Sequence, residues 1–327
     1  MLINLQSIQC RQICDPTRRI NILTPINKGG PYNWGRDLAN SLITRGYFAK
    51  HTYKLTELLA SPLYQKADII HTTVPLAYRL WEHPVVFTVH GDWSMENNIW
   101  KLLYPIAIRK ANIITSSHFL AERLNLENSI VIPNAVFPEQ FKTINHTYKE
   151  IVNLVTVTNL YFKDKANGIL DILRVLNNLP KEARNRIHYS VVGGGPYLSQ
   201  LTQETRRFKL NIQLCGELPN SREALQNSDI FIYYSHHDNF PIAILEAMAC
   251  GLPVVTNNVG AVTEMIEDKK DGFVANDDDS YSQCLLNLIS SPTLRARIGN
   301  ESRKTIETKF NWKNIVDQYI GIYNQLL

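Results

Sequence analysis

The segment from Asp229 to Gly260, DIFIYYSHHDNFPIAILEAMACGLPVVTNNVG, predicts a strand, a helix and a second strand in succession. Both strands, Ile230–Ser235 and Pro253–Asn257, are short runs rich in β-branched or aromatic residues, which is the pattern of buried strands. The stretch between them, Ile242–Cys250, is almost wholly apolar and has the composition of a buried helix. A strand, a helix and a strand in this order are typical of a parallel sheet covered by helices.

The residues at the two ends of this helix favour helix termini. Asp238 or Asn239 can cap its start, Pro241 suits its first turn, and Gly251 suits its end. A helix that begins just after a parallel strand directs its free N–H groups and the positive end of its dipole toward the edge where such sheets bind ligands. We therefore expect this segment to bind an anionic group such as phosphate.

The same alternation of strands and helices continues in both directions along the chain. Helices such as Trp34–Arg45, Asn98–Lys110 and Ile169–Asn178 separate several of the predicted strands. The predicted strands are Ile20–Pro25, Ala49–Leu55, Asp68–Thr73, Val85–His90, Ile113–Ser117, Ile130–Pro133, Leu154–Leu160, His188–Gly193, Ile212–Gly216, Ile230–Ser235, Pro253–Asn257 and Gly272–Ala275. Two successive sets of this kind predict an α/β protein with two doubly wound, parallel-sheet domains.

The length of 327 residues suits two domains of about 150 residues each. A polar stretch with little periodicity, residues 137–152, marks the expected seam. We expect an N-terminal domain at residues 1–145 and a C-terminal domain at residues 146–310, with a final helix at 311–327 that packs back toward the first domain. No apolar run approaches the roughly 18 residues that a membrane-spanning helix needs, and the first residues do not resemble a signal peptide.

Composition and charge narrow the class of partner. Residues 1–145 carry 15 Lys and Arg against 10 Asp and Glu, so the first half is mildly basic. That balance suits a membrane surface or an anionic acceptor, but no basic run or aromatic-basic patch favours a nucleic acid. Five cysteines scattered along a long chain favour free thiols in a reducing compartment. We expect a cytoplasmic protein, peripheral at the inner face of a membrane.

Glu246 is the one charged residue inside the apolar helix Ile242–Cys250. It lies four residues after Ile242 and three before Ala249, so it shares their face of the helix. An unpaired carboxylate among apolar side chains is costly, so Glu246 is expected to contact either an internal Lys or Arg or a ligand. A carboxylate that accepts hydrogen bonds from two vicinal hydroxyls is the usual way to hold a ribose.

Further candidates follow the other strands. Lys163 and Lys165 come after the strand Leu154–Leu160 and can supply positive charge to a diphosphate. Gly193-Gly194-Gly195 follows a strand but lacks the third glycine of a dinucleotide fingerprint, so it predicts a tight turn. Asp277-Asp278-Asp279 predicts a helix cap, and His236-His237 has no third ligand nearby in sequence, so no metal site is expected. Tyr233, Tyr234 and Tyr319 are expected to serve in packing.

These residues together resemble the signature of the retaining, nucleotide-sugar-dependent glycosyltransferases of family 4, the glycosyl transferases group 1. The resemblance spans about residues 20–310 and is strongest in the second half. The matching positions are the segment 229–260, Val131–Asn134, Val191–Pro196, Gly216, Lys165 with Gly168, Glu264–Ile266, Asp271-Gly272, Gly29-Gly30 and His90. The family has the GT-B architecture, in which two Rossmann-like domains face each other across a cleft, and the resemblance implies that fold here.

The resemblance implies four catalytic residues. Glu246 would bind the ribose of the nucleotide, and Asp238, eight residues earlier, would bind hydroxyls of the donor sugar. Lys165 would neutralise the diphosphate, and His90 would contact the sugar near the reacting carbon. The remaining donor-binding positions that it implies are Gly29, Gly30, Asn159, Lys163, Gly193, Gly216, Asn239, Phe240, Pro241 and Ile242.

The activity implied is transfer of a sugar from a nucleoside-diphosphate sugar to a hydroxyl of a glycan, lipid-linked or small-molecule acceptor. Retention at the anomeric carbon and independence of metal ions and cofactors are part of that expectation. Three positions depart from the family pattern: Asp238 stands where Glu is usual, Asn159 where Arg is often found, and Ala135 where Gly often follows Ile-Pro-Asn. The alternatives that stay open are a sugar-nucleotide epimerase, a phosphorylase, and a non-catalytic scaffold that keeps the GT-B fold.

Overall fold

The computed structural model describes residues 18–25, 29–54, 56–57, 67–75, 84–95, 99–145, 147 and 149–327. Two of the five cysteines, Cys10 and Cys14, lie outside these residues. Within the described chain all twelve predicted strands are present, although most of them begin or end a few residues away from the predicted bounds. The strands form two six-stranded sheets, and every pairing described in them is parallel. The predicted α/β class with two doubly wound parallel sheets is therefore confirmed.

The first sheet has the strand order β2-β1-β3-β4-β5-β6. Its strands are β1 (Arg19–Leu23), β2 (Phe48–Thr52), β3 (Ile69–Thr72), β4 (Val85–Val89), β5 (Asn112–Thr115) and β6 (Ile130–Val131). The helices that the structure describes in this part are α1 (Gly30–Thr44), α2 (Trp100–Ala107) and α3 (His118–Arg123). Short 3-10 turns occupy Trp93–Met95, Ile108–Lys110 and Pro138–Gln140.

The second sheet has the strand order β12-β11-β10-β7-β8-β9. Its strands are β7 (Val152–Val157), β8 (Ile187–Val192), β9 (Ile212–Gly216), β10 (Ile230–Tyr233), β11 (Val254–Asn257) and β12 (Phe273–Ala275). The helices are α4 (Lys163–Asn178), α5 (Lys181–Arg184), α6 (Leu198–Thr205), α7 (Arg222–Gln226), α8 (Ile242–Ala249), α9 (Val262–Met265), α10 (Asp278–Ser290), α11 (Pro292–Lys309) and α12 (Trp312–Leu326).

Two apolar clusters cover the two faces of the second sheet, and β10 shows how the strands divide between them. Ile230 and Ile232 pack in the cluster that contains Ile169 of α4, whereas Phe231 and Tyr233 pack in the cluster that contains Ile244 of α8. This division follows from the period of two residues along a strand. It places Tyr233, the last residue of β10, on the α8 face of the sheet.

The order of the second sheet reverses between β7 and β10. From β7 the chain proceeds to β8 and β9 on one side, and it then crosses back to β10 and continues to β11 and β12 on the other. Ligands of open parallel sheets bind outside the carboxyl ends of the strands at such a reversal. The loops that follow β7 and β10 are therefore where the fold predicts the site.

The chain divides into two compact units. The first contains the described residues of Met1–Thr88, Ile99–Asn112 and Tyr319–Leu327, and the second contains those of Val89–Asn98 and Ile113–Gln318. Within the first unit the indole nitrogen of Trp34 donates to the hydroxyl of Tyr319 at 3.0 Å, and Nδ1 of His71 lies 2.6 Å from the hydroxyl of Tyr323. The domain bounds at residues 145 and 310 stay a prediction.

In the second unit the segment after β6 is hydrogen-bonded to the junction between helices α11 and α12. Val136 N donates to the carbonyl of Phe310 at 2.9 Å, and Trp312 N donates to the carbonyl of Val136 at 3.1 Å. The guanidinium of Arg303 donates to the carbonyls of Pro138 at 3.0 Å, Phe141 at 3.1 Å and Ala249. A guanidinium can satisfy several carbonyls at once, so Arg303 links this segment to the end of α8.

Candidate functional site

The site lies at the carboxyl ends of β7 and β10, where the sheet order reverses. Gly168 of α4 brings the two following loops together, because its Cα faces the backbone of Tyr234 directly after β10. A Cβ on Gly168 would lie 1.9 Å from the carbonyl oxygen of Tyr234 and 3.1 Å from the Cα of Ser235. Only glycine allows α4 to approach the end of β10 so closely. This approach places Lys165, one turn before Gly168, beside the end of β10.

Lys165, Asp238 and Tyr233 form a cluster at this point. The ammonium of Lys165 donates to the hydroxyl of Tyr233 at 2.8 Å and to Oδ2 of Asp238, and the Tyr233 hydroxyl donates to the same Oδ2. The Lys165 and Asp238 side chains are each 13% exposed, so the ion pair is largely withdrawn from water. Burial, followed by the charge of Asp238, raises the pKa of Tyr233 well above its usual value, so its hydroxyl stays protonated.

The start of α8 differs from the prediction in a way that favours an anion site. Neither Asp238 nor Asn239 caps the helix; the N-cap is Pro241, which makes no side-chain hydrogen bond to the first turn. Asp238 instead pairs with Lys165, so its carboxylate is not available as a cap. The first N–H groups of α8 are left without a side-chain cap, which is the arrangement that binds phosphates at helix N-termini.

The loop between β10 and α8 is held by a close approach to Gly260. A Cβ on Gly260, whose φ is 58°, would lie 2.2 Å from the carbonyl of Asp238 and 2.8 Å from that of Asn239. The Asn239 carbonyl accepts from Ala261 N at 3.0 Å, whereas its side-chain oxygen is buried and accepts no hydrogen bond from any described residue. Phe240 is buried and stacks edge-on against Phe310, with 6.3 Å between ring centroids. A buried amide oxygen is suited to a ligand donor such as a hydroxyl.

Glu246 lies on the second turn of α8 and is half-buried. Ile242 and Ala243 are partly exposed as well, so α8 is not buried on all sides as its composition predicts. The strip of Ile242, Ala243 and Glu246 is the open side of the helix. One turn later burial, and then the charge of Glu246, raises the pKa of the Cys250 thiol to about 12.

The glycines that follow β8 pack against the loop after β7, and Gly216 ends β9. A Cβ on Gly193 would lie 1.6 Å from the carbonyl of Thr158, and one on Gly195 would lie 2.3 Å from the carbonyl carbon of Leu160. Gly216 has a φ of 67° and its carbonyl accepts from Gly193 N at 2.8 Å. The predicted tight turn is confirmed, and its physical reason is that two backbone segments touch there.

Asn159 and Lys163 are both exposed, on either side of the exposed aromatics Tyr161 and Phe162. Asn159 uses its side-chain oxygen to accept from Tyr161 N at 3.4 Å. Lys163 is the first residue of α4. The structure therefore places both residues at the rim of the site and Lys165 inside it.

Three predicted site residues, Gly29, Gly30 and His90, do not lie on the loops of the second sheet. Gly29 is the N-cap of α1 with a φ of 89°, and Gly30 is the first residue of that helix, both in the first unit. His90 follows β4, and burial lowers its pKa to about 3, so the imidazole is neutral near pH 7. The loop after His90 is held by Asp92, which pairs with Arg123 and accepts from Ser94 N at 2.9 Å.

The predicted packing of Tyr233 is confirmed by its burial, but sequence reasoning missed that its hydroxyl contacts Lys165 and Asp238. The available signal was its position at the end of β10, two residues after Phe231 on the same face. The predicted helix cap is confirmed, because Asp277 and Ser280 form a capping box at the start of α10. His236 lies 2.6 Å from Oδ2 of Asp171, and no group of three or more His, Cys, Asp or Glu side chains suited to a metal ion occurs among the described residues.

The chain is similar in sequence to known glycosyltransferases. Residues 153–305 match the model of the family described as Glycosyl transferases group 1. The chain is 25% identical over 303 residues to the uncharacterized glycosyltransferase MJ1069 of Methanocaldococcus jannaschii, covering 88% of this chain and 75% of that protein. It is also 25% identical over 269 residues to N-acetyl-alpha-D-glucosaminyl L-malate synthase of Bacillus anthracis, covering 74% of this chain and 68% of that protein.

Solved structures share the fold over nearly the whole chain. Sucrose-phosphate synthase from Thermosynechococcus elongatus superposes with a TM-score of 0.78 at 14% identity, covering 94% of this chain and 99% of that one. Alr3699/HepE of Anabaena, solved in complex with UDP and glucose, superposes with a TM-score of 0.77 at 16% identity, covering 94% and 100%. The GT-B fold that the sequence resemblance implies is thereby confirmed.

Proposed function

We propose that this protein is a retaining glycosyltransferase that uses a nucleoside-diphosphate sugar. The match of residues 153–305 to the glycosyl transferases group 1 and the site geometry support this proposal. The observation that carries the proposal is the contact of the Lys165 ammonium with Asp238, in the loop that leads into the uncapped start of α8, where the sheet order reverses. A fixed cation and a helix N-terminus together form a site for a diphosphate.

The donor is proposed to occupy the loops of the second sheet. Anabaena Alr3699/HepE was solved with UDP-glucose as well as with UDP and glucose, and it shares this fold, which supports a nucleotide-sugar donor here. In the proposed complex Lys165 and the first turn of α8 hold the diphosphate, and the open strip of α8 presents Glu246 to the ribose. Asp238 accepts hydroxyls of the sugar, and the turn at Gly216 leaves room for the base.

In the proposed reaction the bond between the anomeric carbon and the β-phosphate oxygen breaks as the diphosphate gains negative charge. Lys165 and the positive end of the α8 dipole stabilise that negative charge, which lowers the barrier. In this proposal their positive charge takes the place of a metal ion. The acceptor oxygen bonds to the same face of the sugar, and its proton passes to the departing phosphate oxygen. His90, being neutral, can accept a hydrogen bond from the sugar without adding positive charge beside the developing oxocarbenium.

Two other enzyme classes would use the same pocket with different products. An epimerase releases a changed nucleotide-sugar without an acceptor, and a phosphorylase needs phosphate. A scaffold without activity has no need to keep the largely buried Lys165–Asp238 pair, because burying an ion pair costs free energy unless it serves a purpose. Product analysis with and without an acceptor, including the anomeric configuration of the product, separates these classes.

Replacing Glu246 by glutamine is expected to weaken binding of the preferred nucleotide by roughly 10- to 100-fold, because one or two charge-assisted hydrogen bonds to ribose hydroxyls are lost. The measurement is a calorimetric titration of UDP, GDP, ADP and TDP, free and as sugar conjugates, without added metal. The exposed Glu182 on α5 gives the matched control Glu182→Gln, for which we expect wild-type binding. Equal affinity in the Glu246 variant and wild type would remove Glu246 from the site.

We also propose that the protein associates peripherally with anionic membranes and draws a lipid-linked acceptor from them. The support comes from α2, on which Ile99 just before the helix, Leu102 and Ile106 form an apolar stripe with 64%, 70% and 42% of their surfaces exposed. Lys101 and Arg109 are exposed beside this stripe, and residues 97–121 contain no Asp or Glu. An apolar stripe flanked by cations suits the surface of an anionic bilayer. Among the described residues no helix has the length and apolar character needed to cross a membrane.

Vesicle flotation tests the membrane proposal. We expect wild type to float with phosphatidylglycerol vesicles at low salt, to dissociate at high salt, and to ignore phosphatidylcholine vesicles. Leu102→Glu should weaken binding by about 10-fold or more, because it removes an inserting apolar side chain and adds a negative charge. Ile151→Glu changes an exposed isoleucine of the second unit and should bind as wild type does. Salt-independent binding, or no binding at low salt, would contradict the proposal.

A further inference from the structure

Tyr233 is the one member of the Lys165 cluster whose position is set by the sheet itself. It is 1% exposed, its ring stacks on Phe231 with 6.3 Å between centroids and 9° between planes, and its carbonyl accepts from the Tyr281 hydroxyl at 3.1 Å. It also pairs with Thr256 of β11 in the sheet. The Tyr233 hydroxyl is therefore a fixed point, whereas Lys165 reaches the cluster on a long flexible side chain.

The Tyr233 hydroxyl and the Lys165 ammonium share one acceptor atom. The Lys165 ammonium and the Tyr233 hydroxyl each donate to Oδ2 of Asp238, and the ammonium also donates to the hydroxyl oxygen at 2.8 Å. The three polar atoms thus form a closed triangle. Both bonds go to Oδ2, so neither Lys165 nor Tyr233 occupies Oδ1 of Asp238.

The triangle holds the short acid at position 238 against Lys165. Aspartate is one methylene shorter than glutamate, so its carboxylate reaches less far from the backbone, yet it bonds directly to the Lys165 ammonium. The Tyr233 hydroxyl, fixed at the end of β10, supports this contact because it bonds to both groups. A donor diphosphate competes with Asp238 for Lys165, and the hydroxyl keeps a hydrogen bond to each partner when the ion pair opens.

We propose that Tyr233 is a positioning residue whose hydroxyl holds the Lys165 ammonium within reach of the short acid Asp238. This inference rests on the proposed function, since it assigns Asp238 and Lys165 to the donor. It goes beyond that function by naming a side chain that does not itself contact substrate and by making its effect depend on the length of residue 238.

A double-mutant cycle of Tyr233→Phe and Asp238→Glu tests the inference through kcat and KM for the donor. Tyr233→Phe keeps the ring and removes the hydroxyl, so we expect kcat to fall by about 10- to 30-fold while KM changes by less than about 3-fold. In the Asp238→Glu background the same change should cost less than about 3-fold, because the longer acid can reach an ammonium that the hydroxyl no longer holds in place. Equal losses in both backgrounds would overturn the inference.

Tyr189→Phe is the matched control. Tyr189 is buried in β8 and its hydroxyl lies 2.8 Å from that of Thr156, so this change removes a buried tyrosine hydroxyl outside the cluster. We expect it to lower thermal stability and to leave kcat and KM unchanged. If Tyr189→Phe lowers kcat as much as Tyr233→Phe does, a general structural effect explains both and the inference fails.

A spectroscopic readout separates failure of this inference from failure of the proposed function. In protein labelled with 15N-lysine, the Lys165 ammonium should give a slowly exchanging signal, identified by its disappearance in Lys165→Ala. The signal should be lost in Tyr233→Phe and kept in Tyr189→Phe. If wild type transfers no sugar, the proposed function fails, but this signal still tests whether Tyr233 positions Lys165. An unchanged signal in Tyr233→Phe overturns the inference.

Discussion

Replacing Lys165 by alanine is expected to lower kcat by roughly 30- to 1,000-fold, which corresponds to about 2–4 kcal/mol of transition-state stabilisation. The loss arises because negative charge grows on the diphosphate as the sugar leaves, and Lys165 is the cation that the structure places inside the site. The dipole at the start of α8 would remain and would supply part of the stabilisation. The change also leaves the Asp238 carboxylate, only 13% exposed, without its counter-ion.

The measurement compares initial rates of product formation at saturating donor in wild type and variant. Lys181→Ala, which removes an exposed lysine from the start of α5, is the matched control and should retain wild-type kcat. Adding Asp238→Asn to Lys165→Ala removes the stranded charge, so this double variant should recover stability without recovering turnover. Activity of Lys165→Ala within about 3-fold of wild type would show that the leaving group is stabilised elsewhere.

Gly168→Ala is expected to destabilise the protein by about 3 kcal/mol or more and to reduce turnover as well. The new methyl group would lie 1.9 Å from the carbonyl oxygen of Tyr234, far inside contact distance, and a backbone atom cannot swing away as a side chain can. Either α4 or the end of β10 must therefore shift, which exceeds the usual cost of overpacking. Because Lys165 lies one turn earlier on α4, the shift also separates it from Asp238 and Tyr233.

Urea unfolding followed by circular dichroism measures this cost. Gly321→Ala is the control, since Gly321 lies within α12 and an added Cβ meets nothing within 4 Å. That substitution should stabilise the protein by about 0.5–1 kcal/mol through helix propensity. If Gly168→Ala is as stable as Gly321→Ala, the close approach of α4 to β10 does not occur in solution.

The sheets could be predicted because the strands are strongly patterned. Each predicted strand is present, and the errors lie at the ends: Leu154–Leu160 was expected, whereas β7 is Val152–Val157. The apolar Leu160 leaves the sheet because the backbone of Gly195 packs directly against it, a contact that no local pattern reveals. The helices α7 and α9 have five and four residues, too few for a period of 3.6 to be visible.

The site could be predicted in part. The neighbourhood of Lys165 and Asp238 follows from the rule that parallel sheets bind ligands beyond their carboxyl ends. Their pairing with each other does not, because it depends on how closely α4 approaches β10 and hence on Gly168. The N-cap of α8 was assigned to Asp238 or Asn239 from residue type alone, and the ion pair removes Asp238 from that role.

The first unit is built from segments that lie far apart in the chain, and this affects how it folds during synthesis on the ribosome. That unit contains Tyr319–Leu327, and two tyrosines of this stretch, Tyr319 and Tyr323, bind the side chains of Trp34 and His71. Every residue of the second unit is translated before Tyr319. The residues of the first unit that precede Val89 therefore wait for Tyr319 and Tyr323, and the second unit can finish folding before the first, the reverse of the usual order of domain folding during synthesis.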